Sequence, residues 1–450
     1  MTKLFGTDGI RGKAGCFPLD EKTVRAIGLS LAEFAGPQGA GRILIARDTR
    51  ESGPWIADRL SRGLACRGVS ALHDLGVMPT AGLAYLTRAR GYDLGIMISA
   101  SHNPYRDNGI KLFSGEGFKI SDDREIEIER SIESWRTAPA VSARHGSAGP
   151  DKRESLASEY LDFLSRLAGT RLEPLRVGLD VCNGAAYLLA PRLFRRLGAE
   201  VTVINDRPDG RNINRDCGSL HLEGLTRVVK DNSLDLGVAF DGDADRALFI
   251  TGSGKCLDGD HTLYALSRHW KANGALAGGQ VVGTIMSNLA LEKALIREGI
   301  PLIRTPVGDK HVLQAMQASG AVLGGEPSGH MILSDLHTTG DGLLTAVKLA
   351  ELLVSRGVSL DDLVAGYQPF PQVLDGLRVS RKVPIDQSPE LSRLIGDAQA
   401  QLSDSGRMVV RYSGTEPLLR IMAEGRELAQ VKATVDKLKY EASQFFDSLE

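Results

Sequence analysis

The sequence predicts an α/β protein. It should form three related α/β domains with mixed, mostly parallel sheets, plus a smaller C-terminal α+β domain, around a central cleft. Three observations carry this. Over most of the chain, short apolar runs alternate with stretches whose apolar residues recur at three- and four-residue steps, the pattern of strands joined by crossover helices. Asp93-Leu-Gly-Ile-Met-Ile-Ser-Ala-Ser101 aligns with Asp235-Leu-Gly-Val-Ala-Phe-Asp-Gly-Asp243, each a strand entering a polar loop, with Ser101 opposite Asp243; Val322–His330 is a looser third copy. Past Val373 the texture changes to strand-like runs between helices. The domains are expected at 1–150, 151–255, 256–370 and 371–450.

In chain order, Lys3-Leu-Phe-Gly-Thr-Asp-Gly-Ile-Arg11-Gly12 reads as a glycine-rich loop with Arg11 available for an anion. Val24, Ile27, Leu31 and Phe34 mark a helix closed by Pro37 and Gly39. Arg42–Ala46 is a strand, Arg47–Arg50 a polar turn and Trp55–Arg67 a helix. Ala71–Val77 returns to strand, and Pro79-Thr80 opens a helix before the apolar run Leu94–Ile98. Residues 134–153 are poor in large apolar groups and read as a linker. The second domain then alternates: helix Ser155–Leu167, strand Leu175–Leu179, helix Ala185–Leu197, strand Glu200–Ile204, strand Asp235–Phe240. The third has a helix at Leu263–Ala272, a strand at Gln280–Thr284, and helices from Leu289 and over Leu343–Leu353. Strand-like runs Gln372–Leu374, Arg407–Arg411 and Arg420–Glu424 belong to the last domain, whose final helix ends near Phe446.

Composition excludes several classes. The 450 residues are 42% hydrophobic and 24% charged, with a net charge of −2, so no global field favours nucleic acid or an anionic membrane. Five scattered cysteines (16, 66, 182, 217, 256) show no zinc spacing and read as reduced thiols. No apolar run approaches a membrane span, and the N-terminus lacks a signal-peptide core. A cytoplasmic protein with no nucleic-acid or membrane partner is expected.

Four loops carry the chemistry. In Ser101-His102-Asn103-Pro104 a hydroxyl sits on a tight loop at a strand end, without the glycines of a hydrolase elbow. His102 is adjacent to Ser101, but sequence neighbours on an extended loop rarely face one another. Lys111 is a candidate proton carrier if burial or other cations lower its pKa. Asp241-Gly-Asp243-Ala-Asp245-Arg246 places three carboxylates on alternate residues, which suits one hard cation, Mg²⁺ above all, with a phosphate oxygen as a further ligand. A phosphorylated Ser101 supplies that oxygen, and Arg246 meets the same phosphate. Gly324-Gly-Glu326-Pro-Ser328-Gly-His330 is a polar, glycine-flanked loop that can read sugar hydroxyls or an amine, with Asp309 a weaker companion. Arg411, Ser413, Gly414, Thr415 and Arg420 form a phosphate cradle of guanidiniums, hydroxyls and backbone N–H groups.

These four loops, in this order, resemble the α-D-phosphohexomutase superfamily over essentially the whole chain. Phe5–Gly12, Asn183–Tyr187, Pro208–Asn214, Asp216–Ser219, Met286–Leu289, Val307–Asp309 and Thr338–Gly342 resemble its bacterial phosphoglucosamine mutase branch. The resemblance implies phosphoserine at Ser101. It implies one Mg²⁺ per chain held by Ser101, Asp241, Asp243 and Asp245. It implies catalytic roles for Ser101, His102, Lys111, Arg246 and Arg11, and substrate contacts from Asp309, Glu326, Ser328, His330 and the cradle. The expected reaction interconverts glucosamine 6-phosphate and glucosamine 1-phosphate through a bound 1,6-bisphosphate, for amino-sugar nucleotide and cell-wall precursor synthesis. Glucosamine or glucose 1,6-bisphosphate is the implied activator, and a homodimer is possible. The alternative is the same chemistry on mannose or glucose phosphates. Pro327 stands where family members usually carry glutamine, and Ala244 where they carry glycine.

Overall fold

The strand Leu94–Ile98 is buried along its whole length, and so is Leu236–Phe240. Each is an unbroken apolar run, as expected of a strand covered on both faces. Each lies at the parallel centre of its sheet and is followed by an antiparallel return strand. A computed structural model describes residues 3–6, 8–35, 41–66, 69, 71–138, 153–413 and 417–449.

The first sheet has the order Phe5–Gly6, Gly9–Lys13, Asp107–Ser114, Leu94–Ile98, Arg42–Arg47, Ala71–Val77. Leu94–Ile98 pairs in parallel with Arg42–Arg47 and antiparallel with Asp107–Ser114. The second runs Cys256–Leu257, Ala247–Thr251, Leu236–Phe240, Arg176–Asp180, Glu200–Ile204, with Leu236–Phe240 again parallel on one side and antiparallel on the other. The third repeats the arrangement: Val281–Thr284 is parallel to Leu323–Gly325, which turns back antiparallel into Met331–Leu333. The Ser101, Asp241–Asp245 and Glu326–His330 loops therefore occupy the same place in three related sheets, between a parallel strand and its return. The sheets are mixed.

Several boundaries shift. The N-terminal glycine-rich segment is a β-hairpin, with Arg11 in a strand opposite Gly109. Backbone pairing replaces the free loop expected there. The helix Asp122–Thr137 runs into the expected linker and is capped by Ser121; the next helix, Arg153–Leu167, begins at its other end, and 139–152 lie outside the described residues. The helix expected at Ala185–Leu197 is confined to Leu189–Arg196.

The chain divides into two compact units, Met1–Thr284 with Ile303–Val364, and Ile285–Leu302 with Ala365–Glu450. The second contains an antiparallel sheet, Gln372–Arg378, Leu418–Gly425, Gly406–Tyr412, covered by helices Pro389–Leu402 and Leu428–Asp447. The helix Leu289–Arg297 belongs to it as well. Asn288 caps that helix and bonds both polar backbone groups of Phe370, while buried Glu424 accepts from Leu289 N at 2.9 Å. Among the described residues no helix is long and apolar enough to cross a membrane.

Candidate active site

Ser101 is fully buried and takes a left-handed backbone conformation, φ 53°. That conformation turns its side chain back onto the loop. Oγ donates to Asp241 Oδ2 at 2.5 Å and lies 3.3 Å from His102 Nδ1. The expectation that Ser101 and His102 would not face one another is thus corrected, because it assumed an extended backbone. Burial, then the neighbouring Arg246 and Arg11, push the His102 imidazole down to about 4, so the ring is neutral at pH 7.

Asp241, Asp243 and Asp245 are all buried, and one oxygen from each lies within 4.8 Å of the others. Burial, then Asp245 and Asp243, push the Asp241 carboxyl up to about 8. Asp245 goes the other way: burial raises its pKa, but Lys111, His330 and Arg246 outweigh it and hold the carboxyl well below its usual range. Among the described residues, Oδ1 of Asp243 and Oδ1 of Asp245 are buried without a hydrogen-bond partner, which costs free energy unless a ligand meets them. Three carboxylates, two of them with an orphaned oxygen, fit a hard divalent cation. Thr80, at the start of the helix Thr80–Ala89, donates from Oγ1 to Asp243 Oδ2 at 2.6 Å and from its backbone N to Asp243 O. Arg246 Nε stands 4.0 Å from Asp241 and 3.8 Å from Asp245, buried and without a hydrogen-bond acceptor among the described residues.

Lys111 requires a correction. Burial lowers its pKa, as expected, but Asp243, Asp8 and Asp245 outweigh burial and raise it well above the ordinary range. Its Nζ lies 2.8 Å from Asp243, 3.0 Å from Asp8 and 3.3 Å from Asp245. Lys111 thus stands as a cation paired with three carboxylates, where a lowered pKa was expected. Asp8 also receives Arg11 and Lys119, and Lys119 reaches Asp309 at 2.5 Å. Asp8 and Lys119 escaped the sequence reading; their only signal was position beside Arg11 and on the segment after Lys111.

The sugar-type loop meets this network. His330 Nδ1 lies 3.6 Å from Asp245 and its Nε2 3.9 Å from Asp309; burial lowers its pKa, but these carboxylates raise it overall. Glu326 accepts from Gly308 N at 3.0 Å, and Ser328 Oγ is buried without a hydrogen-bond partner among the described residues. Proline at 327 keeps its carbonyl in use, accepting from Gly259 N. So Ser101, His102, Lys111, Arg11, the three aspartates, Arg246, Asp309, Glu326, Ser328 and His330 belong to one unit. In the other unit, Arg411 and Arg420 are direct cross-strand partners, and Ser413 is buried. Gly414 and Thr415 lie outside the described residues.

Comparison with known proteins agrees with this geometry. Models of phosphoglucomutase/phosphomannomutase α/β/α domains I, II and III match residues 2–138, 158–254 and 258–370, and the C-terminal domain model matches 376–439. The chain belongs to the phosphoglucomutase/phosphomannomutase family and is a phosphohexomutase, an intramolecular phosphotransferase. It is 48% identical to a phosphoglucosamine mutase of Solibacter usitatus, covering 96% of both chains, and 45% identical to one of Deinococcus radiodurans, covering 97% of both. A phosphoglucomutase/phosphomannomutase family protein from Burkholderia thailandensis has the same fold, with a TM-score of 0.79 and 25% identity over 98% of this chain and 96% of that one. The fold is also that of Aspergillus fumigatus N-acetylphosphoglucosamine mutase, solved with GlcNAc-6P and magnesium (TM-score 0.65, 18% identity, 98% and 95% coverage).

Proposed function

We propose that this enzyme interconverts glucosamine 6-phosphate and glucosamine 1-phosphate through phospho-Ser101 and a bound 1,6-bisphosphate. The choice of sugar follows the phosphoglucosamine mutases it resembles over nearly its full length. The observation that carries the mechanism is Ser101 Oγ, fully buried at 2.5 Å from a carboxylate of the aspartate triad. In the first half-reaction the Oγ–P bond of phospho-Ser101 breaks and a sugar O–P bond forms. The proton of the attacking hydroxyl ends on Ser101 Oγ. Neutral His102, 3.3 Å from Oγ, is able to relay it, whereas Lys111 is held charged. The bisphosphate then turns over and its other phosphate returns to Ser101.

Asp241, Asp243, Asp245 and the phosphate of Ser101 would hold Mg²⁺, which offsets charge on the phosphoryl group in transfer. Arg246, with its unpartnered Nε, supplies a guanidinium for the same group. Glu326, Ser328 and His330 bind the sugar, and Arg11 and Asp309 support them. Arg411 and Arg420 stand directly opposite on neighbouring strands, a repulsive arrangement unless they share an anion. With Ser413 they are assigned the phosphate that is not reacting. A 1,6-bisphosphate of glucosamine or glucose would load an unphosphorylated enzyme. The product would feed amino-sugar nucleotide and cell-wall precursor synthesis.

Intact-mass measurement tests the central step. Purified enzyme should carry one phosphate, lost in Ser101→Ala together with activity. Turnover should be fastest with glucosamine 1-phosphate among the glucosamine, mannose and glucose 1-phosphates. Normal turnover by Ser101→Ala would overturn the mechanism, and a dominant mannose or glucose rate would overturn the substrate.

A further inference from the structure

Arg50 lies outside the four loops, just past the strand Arg42–Arg47, and is almost wholly buried. A buried guanidinium with five N–H donors must find acceptors, and every one found here but one is main chain. Nη2 donates to Ser101 O and Asn103 O, both at 2.8 Å. Nη1 donates to Pro104 O at 2.5 Å and Asp107 O at 3.0 Å. Nε is held by buried Asp48 at 2.8 Å. The other oxygen of Asp48 accepts from Arg50 N, while Oδ2 also takes the hydroxyl of Ser99, whose Oγ in turn accepts from Ser101 N at 2.9 Å. Asn214, from the second domain, adds a donor to Ser101 O at 2.8 Å and Asn103 O at 3.1 Å. Gly242, in the aspartate loop, leaves room for that carbonyl, since a Cβ there would stand 2.5 Å from Ser101 O.

Both polar backbone groups of Ser101 are thus fixed, in a φ region that costs a non-glycine residue of the order of 1 kcal/mol or more. Four carbonyls of one loop converge on one side chain, which no lysine can satisfy. We infer that Arg50, oriented by Asp48 and assisted by Asn214, is a positioning residue that holds the Ser101 loop in its left-handed, transfer-competent conformation. It touches neither the hydroxyl nor the three aspartates, so its effect on chemistry runs through the backbone. The inference rests on the phosphoserine reading for its link to rate, but its claim about the loop does not.

Arg50→Lys keeps the charge and loses the fork. The exposed Arg106 within the loop gives a direct readout, because trypsin cuts after it only when the loop opens. Cleavage there should accelerate at least about tenfold, with other sites unchanged. The kcat for the mutase reaction should fall about 100-fold, the scale of a misplaced reacting atom. The KM should change little, since the sugar-binding loops are untouched. Asn214→Gly tolerates the positive φ of that position and should move both readouts the same way by less; it carries the test if Arg50→Lys does not fold. Wild-type cleavage at Arg106, an unchanged kcat, or a KM that rises as far as kcat falls would each overturn the inference. Wild-type enzyme that forms no isomer would sink the functional reading instead and leave the cleavage result standing.

Discussion

Replacing Asp341 by asparagine should stabilise this enzyme at neutral pH, against the usual direction for a buried substitution. Asp341 caps the helix Gly342–Arg356, with Oδ1 accepting from Leu344 N at 3.0 Å and Oδ2 from Tyr160 OH at 2.8 Å. It is fully buried and no cation bridges it among the described contacts. Burial pushes its carboxyl from 3.8 up to about 6, against the opposing pull of those hydrogen bonds. The folded pKa is raised, so the folded state holds its proton longer than the unfolded state. Stability is therefore lost as pH rises from about 4 to about 6, and the full penalty stands above that. A gap of roughly two units corresponds to about 3 kcal/mol at neutral pH, with about half of it present at pH 5. Asparagine is an equally good cap and can donate to the Tyr160 oxygen. Loss of charge assistance in two hydrogen bonds removes about 1 kcal/mol of the gain, leaving about 2 kcal/mol. All three tryptophans, 55, 135 and 270, lie in the larger unit, so urea unfolding followed by their fluorescence reports on Asp341's surroundings. The variant should be more stable than wild type at pH 7.5, by a margin that shrinks by about three quarters at pH 5. A less stable variant at pH 7.5, or a margin independent of pH, would refute the reasoning.

Two further predictions concern the aspartate triad. Thr80→Val keeps the shape and removes the hydroxyl that donates to Asp243, so Mg²⁺ affinity measured by calorimetry should weaken about tenfold; unchanged affinity would deny Thr80 that role. Lys111→Met should destabilise the enzyme by about 3–5 kcal/mol, because Asp243, Asp245 and Asp8 lose a buried partner. Its melting temperature should then climb more steeply with Mg²⁺ than that of wild type, as binding relieves the repulsion. A variant indifferent to Mg²⁺ would show that Lys111 does not answer to those carboxylates.

The parallel core strands were legible because burial on both faces forces unbroken apolar runs, as in Leu94–Ile98 and Leu236–Phe240. The return strand Asp107–Ser114 was not, for a reason tied to function. Asp107–Ser114 carries Asn108 and Lys111 into the interior, and polar residues that serve a site break the apolar pattern of the strand bearing them. The aspartate loop was legible from its spacing alone. The contact between Ser101 and His102 depends on one positive φ, which no residue type announces. Lys111 was visible as a cation, but its charge state depends on Asp8, more than a hundred residues away in sequence, as well as on the aspartates. Asp48 and Arg50 read as an ordinary polar turn. The available hint was position, since they end the strand parallel to Leu94–Ile98 on the side where such sheets keep their sites.

The charge arrangement also explains why a serine here should carry phosphate between turnovers. Lys111 faces Asp243 and Asp245 but is not among the partners of Asp241, and Asp241 is the carboxyl whose pKa rises to about 8. The triad therefore does not hold three negative charges unaided at neutral pH. Ser101 Oγ sits against that same carboxyl. A phosphate on Oγ placed beside an ionised Asp241 would meet a like charge, worth about 4 kcal/mol per charge pair near 4 Å at an effective dielectric of 20. A divalent cation held by the three aspartates would offset that repulsion, so phosphate and cation would stabilise each other, and by linkage the coupling would be reciprocal. Arg246, close to Asp241 and Asp245 with an unused Nε, strengthens the anionic half of that pair. A hydrolase would need water at Oγ and a base to activate it. This site instead buries Oγ against Asp241 and keeps Lys111 charged, and its neutral His102 serves to pass a proton to and from Oγ during transfer.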